Sequence, residues 1–372
     1  MNTPTQRLAS LDVLRGAVLF LLVFLQPVVC AWLAPSTSAV AQAVCHQLDH
    51  AAWQGFRFWD LVMPLFLFMS GTSLPFSLGK QRAQGMSLRQ IYGKLLRRFV
   101  LLFVLGMVVQ GNLLGFDPQA VYLYTNTLQA IAVGYVVAAV IVLHVPLRWQ
   151  WVPCAVLLAA YALPMMLLGD YTPEGNVASR IDAAVLGRFR GDPSYAWLLP
   201  SLTFGVTVLM GSWAGALIRR GKEQPRRTVV QLLAVGAACT AAGLLWSLDM
   251  PIIKRLWTGS MTLFAGGLCL MLMALCYWWV DVCGRQRGLM WLKVYGMNSI
   301  AAYMLGEVVN FRSVAHSVSY GLAPLLGDYY AAWLTLCNFT LLYYILRYMY
   351  RSGIFLKVLT QPPAGCPVEE AC

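Results

Sequence analysis

Apolar runs of about 20 residues recur along this chain, separated by short clusters of Arg, Lys, Gly and Pro. A helix needs about 20 such residues to cross the hydrocarbon core of a bilayer. Ten runs are legible, near 10–33, 58–79, 95–115, 122–144, 149–169, 197–218, 228–248, 257–281, 291–310 and 328–349. The stretch 314–326 is left open between a re-entrant segment and an eleventh, shorter helix. Segments of about 10 residues with strict alternation, the mark of a transmembrane barrel, do not appear. The pattern therefore predicts an all-α, polytopic transmembrane helix bundle. It forms one domain over 1–358, followed by a disordered, Pro-containing tail over 359–372.

Composition narrows the classes further. Apolar residues make up 59% of the 372 positions and charged residues 11%, and the mean hydropathy is +0.65. A soluble domain carries about 25% charged residues. A soluble enzyme, a disordered chain and a secreted disulfide scaffold are disfavoured together. The ten Cys contain no CxxC pair, so no metal centre is expected. A formal charge of +12 suggests nucleic acid only until its distribution is read. With the N-terminus inside and the spans alternating, 20 of the 27 Lys and Arg fall on the inner side and 7 on the outer side. That is the positive-inside pattern of a multi-pass membrane protein with both termini cytoplasmic. The first run lacks a small-residue cleavage site and reads as a retained helix.

The same topology places His50 at the outer mouth, ten residues before Asp60, which opens an apolar run. Imidazole titrates near neutrality and can take a proton from an attacking amine or hydroxyl. A carboxylate at membrane depth needs a partner, and Asp60 can orient His50 or pair with Arg57. The alternatives are a solvated loop histidine and an acid that stabilises a helix N-terminus. His46, one helical turn earlier, shares the ambiguity. Asn126 and Gln129 in YTNTLQAIAVGY, and Asn298 and Glu307 in GMNSIAAYMLGEVVN, are either interhelical hydrogen-bonding groups or the lining of a polar pocket. Asp12 and Arg15 are spaced to pair on one helix face, or Arg15 snorkels. The basic segment Lys80–Arg98, ending in Arg97 and Arg98, is a topology signal or a phosphate-binding mouth. No GxxxxGK[ST] or GxGxxG motif is present, which removes the usual nucleotide cradles. Cys30 and Cys45 both fall on the outer side, where an oxidising compartment permits a disulfide.

In order along the chain come RLASLDVLRG, DHAAWQGFRFWDLVMPLFLFMSGTSLPFSLGK, NTLQAIAVGY, YTPEGNVASRID, LWTGSMTLFAGG and GMNSIAAYML. This series resembles the membrane acyltransferases related to heparan-α-glucosaminide N-acetyltransferase, including bacterial relatives of the DUF5009 type. The resemblance runs from about residue 7 to about 350. It implies transfer of an acetyl group from cytoplasmic acetyl-CoA to an amino sugar across a bacterial inner membrane, without a metal. His50, followed by Trp53, Gly55 and Asp60, stands where the family's active-site histidine stands. His50 is then the base or acyl carrier, and Asp60 orients it. Substrate contacts are expected from Gln26, Trp53, Asn126, Gln129, Glu174, Asn176, Asn298 and Glu307. Phosphate contacts to acetyl-CoA are expected from Arg15, Arg97 and Arg98. The implied partners are acetyl-CoA, a saccharide acceptor and the bilayer, with a homodimer left open. Two positions depart from the family pattern: Gln26 replaces an Asn, and Ala130 replaces an Arg that often follows the LQ pair. The rival class is an amino-sugar transporter with a midplane site, although the two halves show no convincing internal repeat.

Overall fold

The computed structural model describes residues 8–355. Arg7, Lys357 and the expected tail over 359–372 lie outside the described residues. Within them the chain is all-helical. Seven helices are long and apolar enough to cross a membrane: α1 (Ala9–Leu33), α3 (Phe58–Ala83), α5 (Thr127–His144), α6 (Leu147–Leu168), α8 (Ser201–Glu223), α9 (Pro225–Trp246) and α10 (Gly259–Val282). Two more helices, α4 (Leu88–Val109) and α14 (Tyr330–Arg351), are each 22 residues long but more polar. Short helices complete the set: α2 (Ala39–Gln47), α7 (Val177–Leu186), α11 (Met290–Met297), α12 (Ser299–Val308) and α13 (Arg312–Ser319).

The expected runs and the observed helices differ where polar groups intervene. The run at 95–115 starts earlier, at Leu88, because Ser87 and Gln90 form a reciprocal cap. Residues 110–126 leave the helical path, and α5 begins only after Asn126, whose carboxamide caps it. The run at 291–310 is broken at Asn298 into α11 and α12. The stretch 314–326 holds α13 and the single turn Ala323–Leu326, both far too short to span a bilayer.

The connections gather at two ends of the bundle. At one end, the Trp53 indole donates to the Tyr171 carbonyl at 2.7 Å, and Ala196 N–H donates to Arg255 O at 3.1 Å. At the other, Arg82 donates to Leu143 O at 2.9 Å and Arg219 to Pro75 O at 2.7 Å. The second group contains the segments richest in Lys and Arg. Cys30 and Cys45 are both free thiols.

Helix α8 is the hub, packed against α3, α5, α6 and α10. In lipid there is no hydrophobic drive between helices, so close backbone approach through small residues takes its place. A Cβ at Gly71 of α3 would lie 1.8 Å from the Val208 carbonyl oxygen of α8. The reciprocal contact, Gly211 of α8 against Phe68 O of α3, would be 1.9 Å. Gly16 and Gly296 bring α1 and α11 together in the same way. Gly71→Ala and Gly211→Ala must therefore push two backbones apart, at a cost of about 1–3 kcal/mol each. Gly93→Ala, whose Cβ would meet nothing within 4 Å, should be neutral or mildly stabilising. Thermal unfolding of the three variants in detergent checks this, and equal midpoints would remove the glycine seam from the account.

Candidate functional site

A cavity of about 770 Å³ opens at the Trp53–Tyr171 end of the bundle. Its inner wall is apolar, with Leu22, Val62, Met63, Phe66, Leu128 and Ile131. Leu22 belongs to a five-residue π-turn, Leu21–Leu25, that interrupts α1 beside the cavity. Its polar and charged lining includes His50, Lys254, Asp192, Tyr195 and Glu307 of α12. An apolar channel ending in a few convergent polar groups is the usual form of a small-molecule site.

The polar focus is built on Asp60, whose side chain has no exposed surface. It sits in the first turn of α3, where two backbone donors converge on it. Arg57 N–H donates to Oδ2 at 3.0 Å and Ala51 N–H at 3.2 Å. The other oxygen, Oδ1, accepts from His50 Nδ1 at 2.8 Å. The Arg57 guanidinium reaches back to the His50 carbonyl at 2.8 Å and lies 3.6 Å from Asp49. The loop before α3 is thus folded around one carboxylate. With Nδ1–H donating to Asp60, the ring keeps its one lone pair on Nε2.

A third group was not foreseen from sequence. Lys254 approaches from the turn Lys254–Leu256, with Nζ 2.9 Å from His50 Nδ1, 3.1 Å from Nε2 and 3.6 Å from Asp60 Oδ1. Its side chain is only 9% exposed. Burial pushes the ammonium down to about 8, against the pull of Asp60 in the other direction. The turn is rigidly held. Trp257 follows it with a φ of 49°, a conformation that bulky residues rarely adopt, and its carbonyl accepts from Thr203 at 2.9 Å. The Tyr161 hydroxyl donates to Leu256 O at 2.7 Å. The only sequence signal was a Lys on the sparsely basic outer side, and that charge lies 204 positions from its partner.

The other expected site residues divide. Glu307 lines the cavity directly. Asn126 is one layer behind, with Nδ2 donating to Gln110 at 3.1 Å and to the Tyr303 hydroxyl at 3.2 Å, and both of those residues do line it. Asn298 is fully buried in the break between α11 and α12, next to the lining residues Ser299 and Ile300. Gln26 donates to Leu48 O at 3.2 Å, which fastens α1 to the segment carrying His50. Trp53 fixes the loop through Tyr171. Gln129 and Asn176 are spent on backbone. The Gln129 carboxamide serves Thr125, Asn126 and Leu123, and Asn176 caps α7 at Ser179. Glu174 is exposed on a turn, and His46 is exposed on α2. None of Arg15, Arg97 and Arg98 lines the cavity. Arg15 donates to Met69 O at 3.1 Å, Arg98 stacks 3.8 Å above the Tyr135 ring, and Arg97 is exposed on α4. Among the described residues no group of three or more His, Cys, Asp or Glu is placed to hold a metal ion.

Comparison with known proteins shows the family of the chain. The family model for the catalytic part of heparan-alpha-glucosaminide N-acetyltransferase matches residues 7–247, and the chain belongs to that family. It is 25% identical to the human heparan-alpha-glucosaminide N-acetyltransferase over 371 aligned positions, covering 81% of this chain and 53% of the relative. The mouse protein of the same name is 24% identical over 376, covering 83% and 54%. The chain spans about half the length of these curated relatives. The matched region contains His50 and Asp60 but ends before Lys254.

One wall of the cavity depends on a second buried acid, Asp182 of α7. Its carboxylate accepts from Trp197 N–H at 2.7 Å and from Leu198 N–H at 3.0 Å. Burial pushes this carboxyl up, and the two backbone donors pull it down. Asp182→Ala leaves both donors unpaired beside the lining residue Trp197, at an expected cost of about 1–3 kcal/mol. Asp182→Asn keeps an acceptor and should lose less. Thermal unfolding of both variants checks the order.

Proposed function

We propose that this chain carries an acetyl group from cytoplasmic acetyl-CoA to the amine of a glucosamine-type sugar on the far side of a bacterial inner membrane. The observation that carries this reading is the 2.8 Å His50–Asp60 pair at the rim of a deep apolar cavity. Acetyl-CoA is anionic and cannot cross lipid, whereas a thioester arm is slender. The apolar wall formed by Val62, Phe66 and Ile131 suits such an arm reaching outward to His50. An amino-sugar nitrogen must lose a proton to become a nucleophile. His50 Nε2 takes that proton as the nitrogen bonds to the acyl carbon, and Asp60 stabilises the imidazolium that results. The C–S bond then breaks as the adduct collapses, and the imidazolium returns that proton to the departing thiolate. A route through an acetylated His50 uses the same nitrogen.

The topology of this reading has ten crossings and both termini inside. Beyond the seven apolar helices it counts α4, the broken pair α11–α12, and α14. The gathering of the basic loops at the end away from the cavity supports it, since the cavity then faces outward. Reporter fusions should place residue 50 outside and residues 85–95 inside. A cytoplasmic signal at residue 50 would overturn both orientation and mechanism.

The deciding assay incubates the purified, reconstituted protein with labelled acetyl-CoA and glucosamine and measures acetylated sugar. His50→Ala should reduce the rate by about 10²–10⁴-fold. His50 lies at the rim, so the protein should remain folded. Asp60→Asn should lose less, because an amide can still hold the ring but cannot stabilise imidazolium. Acetylation by His50→Ala within a few-fold of the parent removes His50 from the chemistry. Uptake of the sugar without acetylation would favour the transporter reading instead.

A further inference from the structure

We propose that Lys254 is a positioning residue that disfavours protonation of the His50 imidazole and holds its Nε2 lone pair until a substrate amine replaces the ammonium there, so that the ring serves as a base at neutral pH. This rests on the acetyl-transfer reading for its consequence, though not for its geometry. In an isolated His–Asp pair the carboxylate stabilises imidazolium and so tends to keep the ring protonated and unable to act as a base. Here a second cation shares the same carboxylate. Lys254 Nζ lies 3.6 Å from Asp60 Oδ1 and within 3.1 Å of both ring nitrogens. The Asp60 charge is thus already balanced, and protonating His50 would set two cations in contact inside a largely buried cluster.

The other charged groups around His50 do not undo this. Asp49 accepts from the His50 backbone N–H at 2.7 Å, and its second oxygen lies 3.6 Å from Arg57. The Arg57 guanidinium is directed to the His50 carbonyl. From the segment before α8, Asp192 is bound by Ser194 at 2.9 and 2.7 Å. Arg255, next to Lys254, stacks over the Tyr195 ring at 5.2 Å. Glu307, on α12, lines the same cavity. Among the described residues, Asp60 and Lys254 are the side chains within hydrogen-bonding distance of the ring nitrogens. With its ammonium at about 8, Lys254 remains charged through the range in which an imidazole titrates.

The placement of Lys254 is also costly to build. Its turn is followed by Trp257 at φ 49°, held by Thr203 and by an indole bond to Thr207 at 3.2 Å. Strained backbone of this kind persists where the surroundings over-determine it, and it clusters at functional sites.

The test uses the full-length protein, with Lys254→Met to remove the charge while keeping an unbranched stem, and Lys254→Arg to restore it. In Lys254→Met the acid limb of the acetylation rate should move to higher pH by about one unit. Well below the limb the rate then falls toward the tenfold limit of a one-unit shift, while above pH 8.5 it returns to within about twofold of the parent. Lys254→Arg should bring the limb back toward its original position. The second readout needs no activity. In an NMR titration of labelled histidine, with His50 assigned by its loss in His50→Gln among the chain's four His, the His50 midpoint should rise in Lys254→Met. A limb and a midpoint both unmoved in a folded Lys254→Met protein overturn the proposal. A uniform loss at every pH also overturns it, since Lys254 would then act on substrate directly. Absence of acetyl transfer in the parent, with the midpoint still shifted, removes the acetyl-transfer reading but leaves the electrostatic relation in place.

Discussion

Everything at the rim of the cavity depends on one carboxylate that has no contact with water. Asp60 sits in the first turn of a membrane helix, where an unpartnered charge would cost several kcal/mol. Its cost is met by two backbone N–H groups, one imidazole and one nearby ammonium. Each of those partners is thereby fixed. The loop from Ala51 to Arg57 wraps over the acid, His50 is oriented through Nδ1, and the turn carrying Lys254 is drawn in from the far part of the chain. The chemistry proposed here is a consequence of how that single charge is neutralised.

The scaffold allows this because it is held by close packing and not by polar contacts. Glycines along α3 and α8 let the two backbones touch, so the first turn of α3 is set against a rigid hub. Around that hub, α1, α5, α12 and the segment 187–200 contribute the other lining residues of the cavity. Polar side chains inside the bundle are mostly occupied with backbone. Gln129 and Asn176 serve as caps, and Asp182 receives the N–H groups of Trp197 and Leu198. In a low-dielectric interior such groups must be satisfied locally, and few remain to meet a ligand.

The same reasoning separates the two sets of basic residues. Arg98 lies against the Tyr135 ring and Arg15 is bound to a backbone carbonyl, so both are engaged by the bundle. Lys254 is different, because its ammonium faces the His50–Asp60 pair.

The sequence by itself determined the helical membrane architecture, because apolar runs about 20 residues long have no other stable solution in water or lipid. It also offered His50 as one partner for Asp60, with Arg57 as the other, and tertiary structure placed the His50 ring on the carboxylate. Caps such as Asn126 were visible as polar groups, but a capping amide and a ligand-binding amide have the same composition, so their role was not legible. Tertiary structure decided the rest. Which amides face the cavity and where Arg98 stacks both depend on neighbours distant in the chain. Lys254 is the clearest case. It lies 204 residues from His50, and only the packing of the turn before α10 against the start of α3 brings the two charges together.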